Sequence, residues 1–588
     1  MQNNMGKYKE WIRKNYIWIA LFFVIALAIF VRVYHFDEWL YFKMDQSRDA
    51  LLMSNAIQNG PQELPLLGAR VGAIKLQHGF LRLGPIFYYF QYLSGVIFQS
   101  TTPPVLAYPD LLFSILAIPL LFLFARLYFS QKYSLLITAM YSFSFLIIQY
   151  SRFAWNPNSL QFFLLLSFYG LLRFLNEDDT KKKKWWLVTW SIGMIVGSQL
   201  HFFGFFTLLG VSGLVILFHF ELWKKEQIVR CFEKEVLKKI ALSAGMIFLV
   251  FGIFYAPVII SDSQKNWQNS KNFIEAFGAK PVQKPFTEKV VKGVTESMRY
   301  YCLLTTSQCY EGSLKNERPS IIFTDLILLF GLILIVRGIY KKQLPPLRKD
   351  FLALLIFWAG VFFILTIPVS FQLRPRFFIV VFAIPFLFSG LIFEYLEERF
   401  PKKHMFVLFL LFTLGIVGWN TKGTMAWFKE QTKSQIGTPT IKRTLILKAK
   451  DGVTLGQLQG VTDWMYTRHA EGNTLYYYVK PEHERPIEFL LSDKKNTTLH
   501  TETMKMSENP HAQFFAVTPT KSGIAPFTKK FGANIEILAS KQFGQLMVYE
   551  VTFPNRVTSE SFEFKKPRDS EDRLFWKDVF KVKATTKN

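Results

Sequence analysis

The chain predicts a polytopic α-helical membrane protein with a small C-terminal α/β domain outside the cytoplasm. Charge-free apolar runs of about 15 to 23 residues recur from the N-terminus to about residue 420, and a span needs roughly 20. Beyond about residue 421 these runs stop. Lys and Arg gather in alternate short loops, the positive-inside pattern of membrane proteins. The 51% apolar share decides nothing, because soluble domains are also about half apolar.

The first span is read at residues 16–33. Others follow near 110–126, 133–151, 157–173, 185–201, 203–220, 239–260, 320–336, 351–373, 377–393 and 405–420, about eleven in all. The uncharged stretch Trp185 to Phe220 is too long for one span and splits at His201-Phe202-Phe203-Gly204. Val31-Arg32-Val33-Tyr34-His35 offers no small-x-small cleavage site, so the first span is expected to stay. The catalytic-size unit is thus residues 1–420, and its first external loop is 34–108. Within that loop Asp49 to Gln58 carries an apolar helical face, and Ile86 to Phe98 is rich in aromatics. Both are expected to lie along the membrane surface.

The net charge is +26, from 69 basic and 43 acidic residues. The basic loops are Arg126/Lys132, Arg173 with Lys181 to Lys184, Lys224 to Lys239, Arg337 to Lys349 and Lys402-Lys403. They place the N-terminus in the cytoplasm of a multi-pass plasma (inner) membrane protein, and no nucleic-acid partner is expected. The loops holding Asp45, Arg152 to Asn158, residues 261–319 and Arg374 to Arg376 then face out, as does the domain 421–588. That domain opens on a polar linker, Thr432 to Lys442. A helix near 454–469 follows, then strands at Thr474–Val479, Phe514–Val517, Ile535–Leu538 and Leu546–Phe553, and a helix near 525–532. The tail from Thr558 is charged. Of the three cysteines, Cys302 and Cys309 share one external loop, either bridged or as two thiols. No spacing fits a zinc site.

Four polar pieces fall at the outer face. In Asp45-Gln46-Ser47-Arg48, acid and base share a helix face, or Asp45 simply caps the helix. Gly84-Pro85-Ile86-Phe87-Tyr88-Tyr89 starts a helix with Pro. Arg152-Phe153-Ala154-Trp155-Asn156-Pro157-Asn158 offers a cation and two amides, or a plain turn. Arg374-Pro375-Arg376-Phe377 places two Arg where the positive-inside trend opposes them, as phosphate ligands or as snorkelling side chains. His201, between two spans, is a substrate contact or a capped turn residue.

Taken in order, these pieces resemble the GT-C superfamily of membrane glycosyltransferases, in its aminoarabinose-transferase and protein O-mannosyltransferase-like branch. Asp45 and Arg48 keep the acid and base of an Asp-Glu-x-Arg-type motif, with Gln46 for Glu. Pro85 to Tyr89 stand for a Pro-Pro-Leu-Tyr-Tyr-type segment. Arg152-Phe153-Ala154 stands for an Arg-x-Ala element, with Asn156 or Asn158 where an acid is often found. Arg376-Phe377 stands for an Arg-Tyr turn leading to a helical Pro, here Pro385.

The resemblance covers residues 10–420 and implies sugar transfer from a polyprenyl-phosphate donor to a lipid, protein or cell-wall glycan. Asp45 would be the base, and Arg376 with Arg374 would neutralise the leaving phosphate. Arg48, Arg82, Tyr88, Arg152, Asn156, Asn158 and His201 would contact substrate, with Lys75 and His78 as further phosphate candidates. The missing acids weaken the case for the divalent cation some relatives use, and no metal ligand is assigned. A flippase or transporter of lipid-linked sugar is the alternative, opposed by the absence of a clear internal repeat and by candidate residues at one face rather than mid-depth. A mere anchor for the C-terminal domain needs fewer spans.

Overall fold

The computed structural model describes residues 2–72, 76–278, 283–309, 317–341, 343–436, 453–492, 498–500, 508–559 and 573–580. Lys75, most of the expected linker and much of the tail lie outside these residues.

The chain is a polytopic helical membrane protein. Among the described residues, seven helices are long and apolar enough to cross a bilayer: Lys14–Val33, Pro103–Ala125, Phe202–His219, Lys234–Gln264, Arg318–Ile339, Pro346–Thr366 and Lys402–Lys433. The pair Pro375–Val381 and Ile384–Glu397, bent by 44°, makes up to eight. The expected count of about eleven differs for three physical reasons. The run at 133–151 is broken into Gln131–Ser142 and Phe145–Tyr150. Leu160–Leu175 has only 16 residues. Thr180–Leu200 opens on four lysines and is capped by Asp179, which accepts from the Lys181 and Lys182 N–H groups. The last apolar run continues as helix to Ile436.

Leu160–Leu175 and Thr180–Leu200 pack backbone to backbone. A Cβ at Gly193 would stand 2.5 Å from the Ser167 nitrogen, and one at Gly170 would stand 2.7 Å from the Trp190 nitrogen. Small residues at such contacts replace the hydrophobic drive that lipid removes. The break between Thr180–Leu200 and Phe202–His219 falls at His201, as the length of the run requires.

The C-terminal part carries five strands: β1 (Thr474–Tyr478), β2 (Thr498–His500), β3 (Ala512–Pro519), β4 (Glu536–Phe543) and β5 (Leu546–Thr552), in the order β2-β1-β3-β5-β4. β1 runs parallel to β2 and β3, whereas β5 is antiparallel to β3 and β4. Alternate residues enter two cores. Leu475, Tyr477, Phe515, Val517 and Val548 join the core that continues into the helical bundle. Tyr476, Phe514, Ala516 and Val551 pack with Phe527 of the helix Ala525–Phe531. The helix Pro481–Ser492, absent from the sequence reading, packs on the helix Met44–Asn59, and the Phe42 and Phe489 rings lie 5.5 Å apart. Backbone bonds from Leu455 and Gly456 to the carbonyls of Leu40 and Glu38 fix the seat.

Residues 573–580 return to the first loop. The Leu66 N–H donates to the Leu574 carbonyl at 2.9 Å, and the Trp576 N–H to the Leu64 carbonyl at 3.1 Å. The Trp576 indole donates to the Tyr89 hydroxyl at 3.0 Å, and Lys577 pairs with Glu63 at 2.8 Å.

Candidate active site

The helix Met44–Asn59 begins where Lys43 turns extended. The Gln46 amide oxygen accepts from the Lys43 N–H at 3.2 Å, and the Ser47 hydroxyl donates to the Lys43 carbonyl at 2.9 Å. A capping box accepts Gln as well as Glu at this position. Gln46 is therefore buried in backbone capping. Asp45 stands in the first turn, where the helix dipole favours a carboxylate, and its side chain is half exposed.

Arg48 bridges two acids. Its Nη1 lies 3.2 Å from Asp45 Oδ1, and its Nε and Nη2 lie 2.9 and 2.8 Å from Asp49 Oδ1. Asp49 is buried and also accepts from the Tyr88 hydroxyl at 2.9 Å. Arg573, from the returning segment, donates to the same hydroxyl at 3.4 Å. Burial pushes the Asp49 carboxyl above its usual range, while Arg48 and Arg573 pull it down. Asp49 in turn holds the Arg48 guanidinium more basic than usual. The Tyr88 hydroxyl is pushed up to about 12, by burial first and Asp49 second. Asp45 is thus held by a guanidinium that is itself held by a buried network.

Arg376 lies within electrostatic reach of Asp45 and Tyr150. Its guanidinium sits over the Trp155 and Phe377 rings, 5.5 and 5.2 Å from their centres. Tyr41 lies within reach of Asp45 and Glu482, and burial, with those acids second, holds its hydroxyl well above the usual phenol range. Tyr150 lies within reach of Arg376 and Tyr41. Both hydroxyls are buried and find no hydrogen-bond partner among the described residues. Two unspent hydroxyls within electrostatic reach of a guanidinium offer donors to phosphate or sugar oxygens.

The other candidates are spread more widely. Arg152 is buried, and its guanidinium donates to the carbonyls of Val31, Arg32, Tyr34 and His35 at 2.6–3.2 Å. It satisfies the open end of the first helix. The Asn156 amide donates to the Leu200 carbonyl at 2.6 Å, and that of Asn158 to the Phe153 carbonyl at 2.8 Å. The acid for this loop comes from another helix: Asp110 accepts from the Trp155 N–H at 2.8 Å and from the Ser159 hydroxyl. The His201 ring caps Phe202–His219 by accepting from the Phe203 N–H at 3.3 Å and lies 5.8 Å from the Phe377 ring. Arg374 donates to the Leu373 carbonyl, and Arg82 to that of Gly68. The Leu76 and Gly79 backbones bracket His78 in a tight turn. Cys302 and Cys309 are disulfide-bonded.

A divalent cation does not suit this donor set. Arg48 pairs with Oδ1 of both acids, Gln46 is spent on the helix end, and no third His, Cys, Asp or Glu joins them among the described residues.

Asp49, Asp110, Tyr41, Tyr150 and Arg573 carry no sequence signal of their own. A lone Tyr in an apolar run reads as belt or core, and the partners of the others lie far away in the chain.

Residues 15–260 match the family model for dolichyl-phosphate-mannose-protein mannosyltransferase. No curated protein matches the chain. Among solved structures, ArnT from Cupriavidus metallidurans bound to undecaprenyl phosphate aligns with a TM-score of 0.50 at 12% identity, over 91% of this chain and 98% of that one. AglB, the archaeal oligosaccharyltransferase from Archaeoglobus fulgidus, in complex with an inhibitory peptide and a dolichol-phosphate, aligns with a TM-score of 0.47 at 14% identity, over 87% and 70%. The family match is confined to residues 15–260, and the likeness to ArnT shows a shared polytopic helical fold.

Proposed function

We propose that the chain moves a sugar from a polyprenyl-phosphate donor to an acceptor hydroxyl or amine at the outer face of the membrane. Asp45 takes the acceptor proton as the acceptor oxygen or nitrogen bonds to the anomeric carbon. The bond from that carbon to the phosphate oxygen breaks on the opposite face, so the configuration inverts. The electron pair leaves on the phosphate, where Arg376 meets the new charge. A phosphate leaving group needs no second carboxylic acid, unlike a glycosidase. The electrostatic reach between Asp45 and Arg376, with Asp45 held by Arg48, carries this reading, and the unspent Tyr41 and Tyr150 hydroxyls support it. ArnT was solved with undecaprenyl phosphate, a lipid of the donor class proposed here. A disulfide at Cys302–Cys309 suits an oxidising outer compartment.

The test uses the purified full chain in detergent with polyprenyl-phosphate mannose, polyprenyl-phosphate glucose or a nucleotide sugar. With a membrane extract as acceptor, sugar transfer with release of polyprenyl phosphate is expected from a lipid donor, and no sugar transfer from the nucleotide sugar. Translocation of the lipid-linked sugar across proteoliposomes with no release would establish the flippase reading instead.

Arg573 is a positioning residue in this scheme. Charge-assisted hydrogen bonds contribute about 1.5–3 kcal/mol, so Arg573→Gln is expected to lower kcat about tenfold with little change in donor KM. Arg573→Lys should restore part of the loss. Equal losses in both variants, tracking the melting temperature, would reduce Arg573 to a packing role.

A further inference from the structure

The span Phe202–His219 has 18 residues. At 1.5 Å per residue that is about 27 Å, against a hydrocarbon core of about 30 Å. A helix this short has no slack, so its first turns stand at the edge of the hydrocarbon. There Phe202, Phe205 and Phe206 gather around one ring from elsewhere, Phe273, with centres 6.1, 5.4 and 6.2 Å away. Phe273 belongs to the helix Gln268–Gly278, which at 11 residues is too short to span. That helix is therefore fixed at the edge of the bilayer. It lies at the end of the bundle where His201 is within electrostatic reach of Arg376.

Its polar side is spent on the first loop. The Glu275 carboxylate accepts from the Gln77 N–H at 3.0 Å, and the Asn272 amide donates to the His78 carbonyl at 3.3 Å. A separate stripe carries Trp267, just before the first turn, then Lys271 and Ile274. These positions recur at i, i+4 and i+7 and share one side. Trp267 is 53% exposed and Ile274 71%. An aromatic, a lysine and an aliphatic in one exposed row suit the boundary between lipid headgroups and chains.

A second helix repeats the pattern. Phe286–Thr306 abuts the end of the span Pro346–Thr366, since a Cβ at Gly293 would stand 3.8 Å from the Thr366 hydroxyl. On either side of Gly293, Val291 and Val294 are exposed, and the span brings exposed Phe363 and Ile364 to the same end. On the span Lys234–Gln264, exposed Leu249, Ile253 and Ile259 lead in the same way toward Trp267. The lipid-facing surface of the spans thus continues onto both helices.

We propose that Gln268–Gly278 and the first half of Phe286–Thr306 are seated in the bilayer interface. Trp267, Ile274, Val291 and Val294 enter among phospholipid chains, and Lys271 meets the headgroup phosphates. The occupant is phospholipid because this apolar surface continues that of the spans and lies at the depth of their ends. Through Glu275 and Asn272 the first helix then sets the height of the first loop over the bilayer. The inference rests on the spans and their packing, not on the transfer chemistry.

The test uses the full chain with Cys231→Ser, since Cys302 and Cys309 are bridged, and adds Ile274→Cys or Val291→Cys. The new thiol carries a nitrobenzoxadiazole fluorophore, and the chain is reconstituted in phosphatidylcholine nanodiscs. Emission at both positions is expected to shift to the blue of the denatured labelled chain. It should be lost when the nanodisc lipid bears doxyl groups on its chains, and kept when iodide is added to the water. Loss with iodide alone puts the helices in water and overturns the proposal. Loss with neither quencher puts them against protein, a second copy included, and overturns it too. Lipid quenching at one position only overturns the seat of the other helix. Should Ile274→Cys fail to fold, Trp267→Cys reads the same stripe.

Discussion

Asp45→Asn is expected to lower sugar transfer by about 10²-fold or more, the usual worth of a positioned general base. That is about 2.7 kcal/mol at the transition state. The fold should not register the change. The substitution removes only a half-exposed pairing with Arg48 at 3.2 Å, and exposed ion pairs contribute at most about 1 kcal/mol. Asn also tolerates the first turn of a helix. Activity and stability therefore separate: the melting temperature of the purified variant stays close to that of the parent while polyprenyl phosphate release collapses. Retained transfer with normal expression would remove Asp45 from the mechanism. Asp49→Asn gives a useful contrast. It strips a buried acceptor from Arg48 and Tyr88, so it should reduce folded yield as well as turnover.

The second large effect is expected at Arg376. Charge develops on the departing phosphate, and losing one preorganised group that meets it costs about 10² to 10³ in kcat. Arg376→Gln keeps most of the stem that packs on Trp155 and Phe377, and removes the charge. Arg376→Lys returns a charge without the planar fork and should recover only part of the rate. The signature is loss in kcat and in affinity for undecaprenyl phosphate, with the melting temperature close to that of the parent. A kcat within a factor of about two of the parent would move phosphate stabilisation elsewhere, since that is far below the 10²-fold scale of such donors. The Tyr150 hydroxyl would then be the next group to vary.

Much of the scaffold is written in local pattern. The first span, the helices at 44–59 and 86–97, and the break at His201 all follow from apolar periodicity and run length. So do four of the five strands, because alternation along β3 and β5 shows directly in the residues. Span number is less legible. Lysines at the start of Thr180–Leu200 and the interruption at Phe143-Ser144 are invisible to a count of apolar runs. The helix Pro481–Ser492 hides behind its two prolines and three acidic residues.

Among the candidate residues, Asp45, Arg48 and Arg376 stand out in the sequence by charge in an unusual place. Arg152 carries the same signal, yet its guanidinium is committed to four carbonyls at the end of the first helix. The pattern that marks a functional charge also marks a structural one, and only the partners distinguish them. Asp49 shows the converse. It looks like an ordinary surface acid on an amphipathic helix and becomes the hub of the network because Tyr88 and Arg573 close over it.

That closure sets an order of assembly. Trp576 and Tyr89 are separated by 487 positions, so the first loop emerges long before its partner. At ribosomal speeds of about 5–20 residues per second, the wait is on the order of tens of seconds. During that time Asp49 has Arg48 and Tyr88 but lacks the third member of the group. A nascent chain halted before residue 573 holds the Arg48–Asp49–Tyr88 group without Arg573. Synthesis itself thus sets when the group is complete: the Tyr88 hydroxyl meets Arg573 only after nearly the whole chain has been made.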